Sequence, residues 1–132
     1  MSKITITERG WAGHYILAKN CKFRRNTLIS YNDEHIIVFT MGNCVHLNKI
    51  EEIGYKRYYE TLIFTGVKGK TYIDIDIDQQ LFPKHNLPWS VDHNSYEADF
   101  EANNIHERTV KWVSENFELC LDSVYDADED DL

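Results

Sequence analysis

The chain has 132 residues, with 14 Lys plus Arg against 22 Asp plus Glu, 42% hydrophobic and 13% aromatic residues, and only 2 Pro and 6 Gly. That is enough apolar material for one domain with its own core, and too much for a disordered, collagenous or low-complexity chain. Charge is unevenly spread: residues 1–72 hold 11 basic and 6 acidic residues and residues 73–132 hold 3 and 16, an acidic balance that disfavours general nucleic-acid binding.

In chain order, Lys3 to Thr7 alternates Ile4 and Ile6 with Thr5 and Thr7, a half-buried strand pattern. It is not the continuous apolar block of a signal peptide, and no later run approaches the ~20 apolar residues that cross a bilayer, so a cytoplasmic protein without membrane contact is expected. Gly10 and Gly13 bracket Trp11 as a turn. His14 to Ala18 reads as a second short strand and Cys21 to Ser30 as one or two more. Asn32-Asp33 supplies a hairpin connection into Glu34 to Met41, where Ile36 and Val38 fall on one side and Ile37 and Phe39 on the other, as in a central strand covered on both faces. Leu47, Ile50 and Ile53 fit a short helical turn. Tyr58 to Gly66 and Lys70 to Asp78 resume strand character across Val67-Lys68-Gly69, and Gln79 to Asn94, with Pro83 and Pro88, reads as an ordered loop.

The period then changes. Ala98, Ala102, Ile105, Thr109, Val113, Phe117 and Cys120 or Leu121 recur every three or four residues beside Trp112, the stripe of an amphipathic helix of about seven turns. Ser95 is its expected N-cap, with Glu97, Asp99 and Glu101 near the positive end of the helix dipole. The predicted fold class is α+β: a curved antiparallel β-sheet of about six strands packed against one long C-terminal α-helix. A single domain over residues 1–124 would precede an acidic tail over residues 125–132.

The cysteines Cys21, Cys44 and Cys120 are odd in number, widely spaced and without a C-x-x-C, so they read as reduced packing thiols. Tyr72-Ile73-Asp74-Ile75-Asp76-Ile77-Asp78 puts isoleucines on one strand face and aspartates on the other. Two such carboxylates, closed by Glu60 or His106, could approach a divalent metal, with Glu60, Asp74 and Asp76 as ligands of a phosphoesterase or nucleotide-acting enzyme. The competing reading is a solvated face neutralised by Lys and Arg across the ladder. Lys19-Asn20-Cys21-Lys22-Phe23-Arg24-Arg25 supplies those charges, and Lys22, Arg24 and Arg25 are also the candidate phosphate contacts. On a strand, Lys22 and Arg24 share one face and Phe23 and Arg25 the other.

Cys21 with His14, or Ser30 with His35, can be drawn as a nucleophile and its base, though neither sits in a family signature. Tyr55-Lys56-Arg57-Tyr58-Tyr59-Glu60 has the Tyr and Arg content of binding hot spots, which makes Tyr55, Arg57, Tyr58 and Tyr59 candidate partner contacts. The tail residues Asp126, Asp128, Glu129, Asp130 and Asp131 offer phosphate-like charge to a basic protein surface. Trp11, His14 and Trp89 would line a ligand pocket if the chain sequesters a small molecule.

The segments Glu8-Arg9-Gly10-Trp11-Ala12-Gly13-His14, Cys21-Lys22-Phe23-Arg24-Arg25-Asn26-Thr27-Leu28 and Arg57-Tyr58-Tyr59-Glu60-Thr61 resemble a group of small, functionally uncharacterised proteins carried by phages and mobile elements, over most of residues 8–110. The resemblance implies a phage or prophage origin and, by the habit of such small acidic proteins, a block on a host process such as restriction or CRISPR defence. The basic N-terminal half departs from a uniformly acidic DNA mimic. No catalytic motif stands out, so the expected function is a non-enzymatic, cofactor-free protein that binds a host protein or nucleoprotein in the bacterial cytoplasm.

Overall fold

The structure is a computed structural model that describes residues 3–9, 21–47, 49–51, 59–69, 73–81, 90–91 and 96–123. Strands β1 (Thr5–Glu8), β2 (Cys21–Tyr31), β3 (Glu34–His46), β4 (Lys49–Glu51), β5 (Tyr59–Lys68), β6 (Ile73–Leu81) and β7 (Ser90–Val91) precede helices α1 (Tyr96–Glu115) and α2 (Phe117–Leu121). The strands form one antiparallel sheet in the order β1-β2-β3-β5-β6, with β4 on β3 and β7 on β5. The class is therefore α+β, an antiparallel sheet with helix near the C-terminus.

Cys21 to Tyr31 is one continuous strand, turned into β3 by Asn32 and Asp33, whose φ values of 52° and 64° are those of a type I′ turn. That turn suits the right-handed twist of the flanking strands, and Asn and Asp are the side chains that tolerate φ > 0 best. β3 lies at the centre as its pattern predicts, and Ile36, Ile37, Val38, Phe39, Thr40 and Met41 are all buried. One face of the sheet packs Ile29, Ile36, Val38, Ile63 and Leu81 against Val110, Val113, Phe117 and Cys120 of the helices. Lower on the same face Tyr59 meets Ala102, Ile105 and Phe23.

Several expectations are corrected. Leu47 is no helical turn: it has φ 51°, is 83% exposed, and belongs to the hairpin in which His46 pairs with Lys49. Val67 and Lys68, expected in the connection, are strand residues, since Val67 pairs with Asp74 and Lys68 with Ile73. The presumed loop from Gln79 instead continues β6 to Leu81, and Ser90 and Val91 pair with Glu60 and Tyr59. The single seven-turn helix is interrupted at Asn116, whose φ of −133° leaves the helical region while its side-chain amide donates to the Trp112 carbonyl at 2.9 Å. An Asn side chain that competes for backbone groups is a physical reason for such a break. The buried stripe of Ala102, Ile105, Thr109, Val113, Phe117 and Cys120 still faces the sheet, and Trp112 packs at its margin.

Candidate functional site

Between α1 and the sheet runs a chain of polar side chains. Thr27 of β2, Thr40 of β3 and Thr61 of β5 stand on the helix-facing side of adjacent strands, and His106 of α1 descends among them, all four almost fully buried. Thr27 Oγ1 lies 2.7 Å from His106 Nε2, Thr40 Oγ1 2.7 Å from Nδ1, and Thr40 and Thr61 hydroxyls 2.8 Å apart. Thr27 Oγ1 also donates to the Glu8 carboxylate, which can only accept. That fixes the direction of the chain. Thr27 must accept from Nε2–H, the neutral imidazole must then accept at Nδ1 from Thr40, and Thr40 accepts from Thr61.

At the outer end Arg25 pairs with Glu8 at 2.7 Å and Glu107 at 2.6 Å and donates to Asn103 Oδ1 at 2.8 Å. Burial, helped by the Arg25 charge, pulls His106 down from 6.5 to about 4, so the ring is neutral near neutrality. Burial works to raise the Glu8 carboxyl, but hydrogen bonds from Arg25 and Thr27 and the guanidinium charge outweigh it and hold Glu8 below its ordinary value. With Thr27, Thr40, Thr61 and His106 buried and hydrogen-bonded, an arrangement of this kind orients helix on sheet; both imidazole nitrogens are already engaged.

The predicted residues are placed as follows. Tyr59, expected on a partner-binding surface, is 1% exposed, stacks edge-on against Phe23 at 6.1 Å and donates its hydroxyl to Asp99. Burial, then that contact, raises its pKa. Arg25 is engaged by Glu8 and Glu107 rather than by the aspartates of β6, and β3 and β5 lie between β2 and β6 in the sheet. Lys22 is exposed and Arg24 half-buried. Glu60 and Asp74 are not brought together: Asp74 pairs with Val67, which puts it about 23 Å along β5 from Glu60 at the usual rise per residue. Asp76 lies in the register shift after Ile75 that interrupts the alternating face. Trp11, His14, Tyr55, Arg57, Tyr58, Trp89, Asp126, Asp128, Glu129, Asp130 and Asp131 lie outside the described residues.

Ser30 and His35 are cross-strand partners with Oγ and Nδ1 2.7 Å apart. Cys21 is disulfide-bonded, and the residue opposite it in register is Cys44, which corrects the expectation of three reduced thiols. Cys120 is a free thiol that burial pushes up to about 12, away from nucleophilic use.

Sequence reasoning missed His106 as the centre of the polar chain. The signal was present, since His106 adjoins Ile105 in the apolar stripe and the threonines recur on inward strand positions. It also missed the acidic helix ends. Glu115 closes α1, Asp122 caps α2, Glu118 lies between them, all three are exposed, and neither helix has a basic residue in its last turn. Carboxylates at C-terminal helix ends add to the negative pole of the dipole instead of opposing it. Comparison of the chain with protein-family models, with curated proteins and with solved structures finds no match.

Proposed function

We propose that the chain is a non-enzymatic binding protein of phage or mobile-element origin that inhibits or modulates a host protein or nucleoprotein, as an anti-restriction or anti-CRISPR factor does. The acidic C-terminal region is its contact surface. The observation that carries this reading is the exposed pair Glu115 and Asp122 at C-terminal helix ends where a stability argument would place Lys or Arg, with exposed Glu118 between them. The strongly acidic sequence after Asp122 extends the same charge. Supporting it, the side chains with the chemistry of a base or nucleophile at the helix–sheet layer are spent on the fold: His106 between two threonines, Tyr59 on Asp99, Cys21 in a disulfide and Cys120 in the core.

Full-length tagged protein, expressed in a bacterial host and purified at low salt, should bring down one dominant protein or ribonucleoprotein in stoichiometric amount and release it as salt is raised. Amide replacements at Asp126, Asp128, Glu129, Asp130 and Asp131 should weaken capture and flatten its salt dependence. Partner-free protein, or capture indifferent to both salt and these changes, contradicts the reading.

A further inference from the structure

Cys21 and Cys44 are register partners at the end of the β2–β3 ladder farthest from its turn. Cys21 is 3% exposed and disulfide-bonded, Cys120 is a free thiol, and the chain holds 3 cysteines, so Cys44 is the partner that register and elimination both leave. Cys44 also pairs with Glu51, so β2, β3 and β4 meet at this point.

The kind of pair follows from one hydrogen bond. Arg9 N–H donates to the Asn26 carbonyl at 2.7 Å, continuing the β1–β2 register, so the even residues of β2 turn their backbone groups to β1 and the odd residues turn theirs to β3. The β2–β3 register is unshifted from Tyr31 and Glu34 to Cys21 and Cys44, which makes the two cysteines a hydrogen-bonded pair. In such a pair the Cα atoms stand about 5.5 Å apart, within the reach of a disulfide. The Cβ atoms stand at the wide end of a range of about 4.5–5.5 Å, whereas the bond spans about 3.5–4.5 Å. The ladder therefore admits the bond and pulls against it, which makes it easier to reduce than one whose strands already sit at its span.

We infer that Cys21 and Cys44 form a reversible redox switch, worked by exchange with a small thiol, that fastens the start of β2 to the β3–β4 hairpin. In the opening direction the thiolate of a first small thiol attacks one sulfur of the bond, giving a mixed disulfide and releasing one cysteine thiolate. A second small thiol then displaces the other cysteine, so that both small thiols leave joined as one disulfide and their two electrons and two protons pass to the protein. Closing is the reverse, with the small disulfide as oxidant. Cys21 is the first residue of β2, so opening that strand end uncovers the bond without disturbing the rest of the ladder. The fold does not hang on the bond, because the Asn32-Asp33 turn sets the register from the other end and Ile29, Ile36 and Val38 hold the same two strands in the core. Cys120, buried in that core with its thiol pushed up to about 12, does not compete for either sulfur. The inference is independent of the proposed function.

The test takes the whole chain, without denaturant, through glutathione buffers from fully oxidised to fully reduced, labels free thiols with an alkylating reagent and locates the labels by mass. Cys21 and Cys44 should gain labels together and to the same extent whether the starting protein is oxidised or reduced, with Cys120 unlabelled. Amide hydrogen exchange on the reduced form should rise severalfold at Cys21 and Cys44 and stay unchanged at Thr27 and Ile29. Cys21→Ser/Cys44→Ser should fold and show the reduced pattern in every buffer. A bond that never forms in oxidised glutathione, or that yields only once urea unfolds the chain, overturns the inference. Reduction that exposes the Thr27 and Ile29 amides as well overturns it too, since the bond would then hold the sheet together instead of switching one corner of it.

Discussion

His106 is the residue on which most depends. Its folded pKa of about 4 lies below the ordinary 6.5, so above 6.5 the ring is neutral in both states and its interactions contribute in full. As pH falls from 6.5 to about 4 the unfolded chain takes up a proton that the folded chain refuses, and stability is lost across that window, by about 3 kcal/mol in total. Urea titrations should show this loss in the wild type and a visibly flatter profile in His106→Leu, which is also less stable near neutrality. Equal pH slopes in the two proteins would refute the buried neutral assignment. Gly42 makes a second single-residue case. A Cβ there would lie 2.0 Å from Cδ1 of Tyr59, its cross-strand partner, so Gly42→Ala should displace the ring from Asp99 and cost about 1–3 kcal/mol. Tyr59→Val should relieve most of that cost in a double-mutant cycle, and full additivity would argue against the contact.

At the scale of elements, the Asn32-Asp33 turn sets the register of the two longest strands. Asp33→Gly should raise stability by up to about 1 kcal/mol, and Asp33→Val lower it by a similar amount or more, because only glycine meets φ > 0 without a Cβ penalty. Thermal unfolding of the three proteins gives the order directly. This turn was legible in the sequence, as were the central strand and the helix stripe, because each rests on local chemistry: φ > 0 residues, period 2, period 3.6. The hairpin at Leu47, the strand Ser90–Val91 and the register shift in β6 were not, since non-local pairing decides them. Candidate sites fared the same way. Tyr59 and Arg25 have the residue types of a binding surface, but a long-range partner, Asp99 for one and Glu107 for the other, turns each inward.

For the whole molecule, the proposed function rests on the division between residues 1–72, which hold 11 of the 14 Lys and Arg, and a helical end that carries exposed acid. Glu115 and Asp122 sit where the helix dipole disfavours them, so replacing them trades stability against whatever the charge serves. The decisive measurement is a paired one on Glu115→Gln/Asp122→Asn, with its thermal midpoint and its capture of a partner from bacterial lysate at low salt both compared with wild type. The account predicts that the variant is more stable, by a few tenths of a kcal/mol per site, and captures less. A variant that is no more stable, or that captures its partner undiminished, would contradict the claim that this acidic end is built for binding.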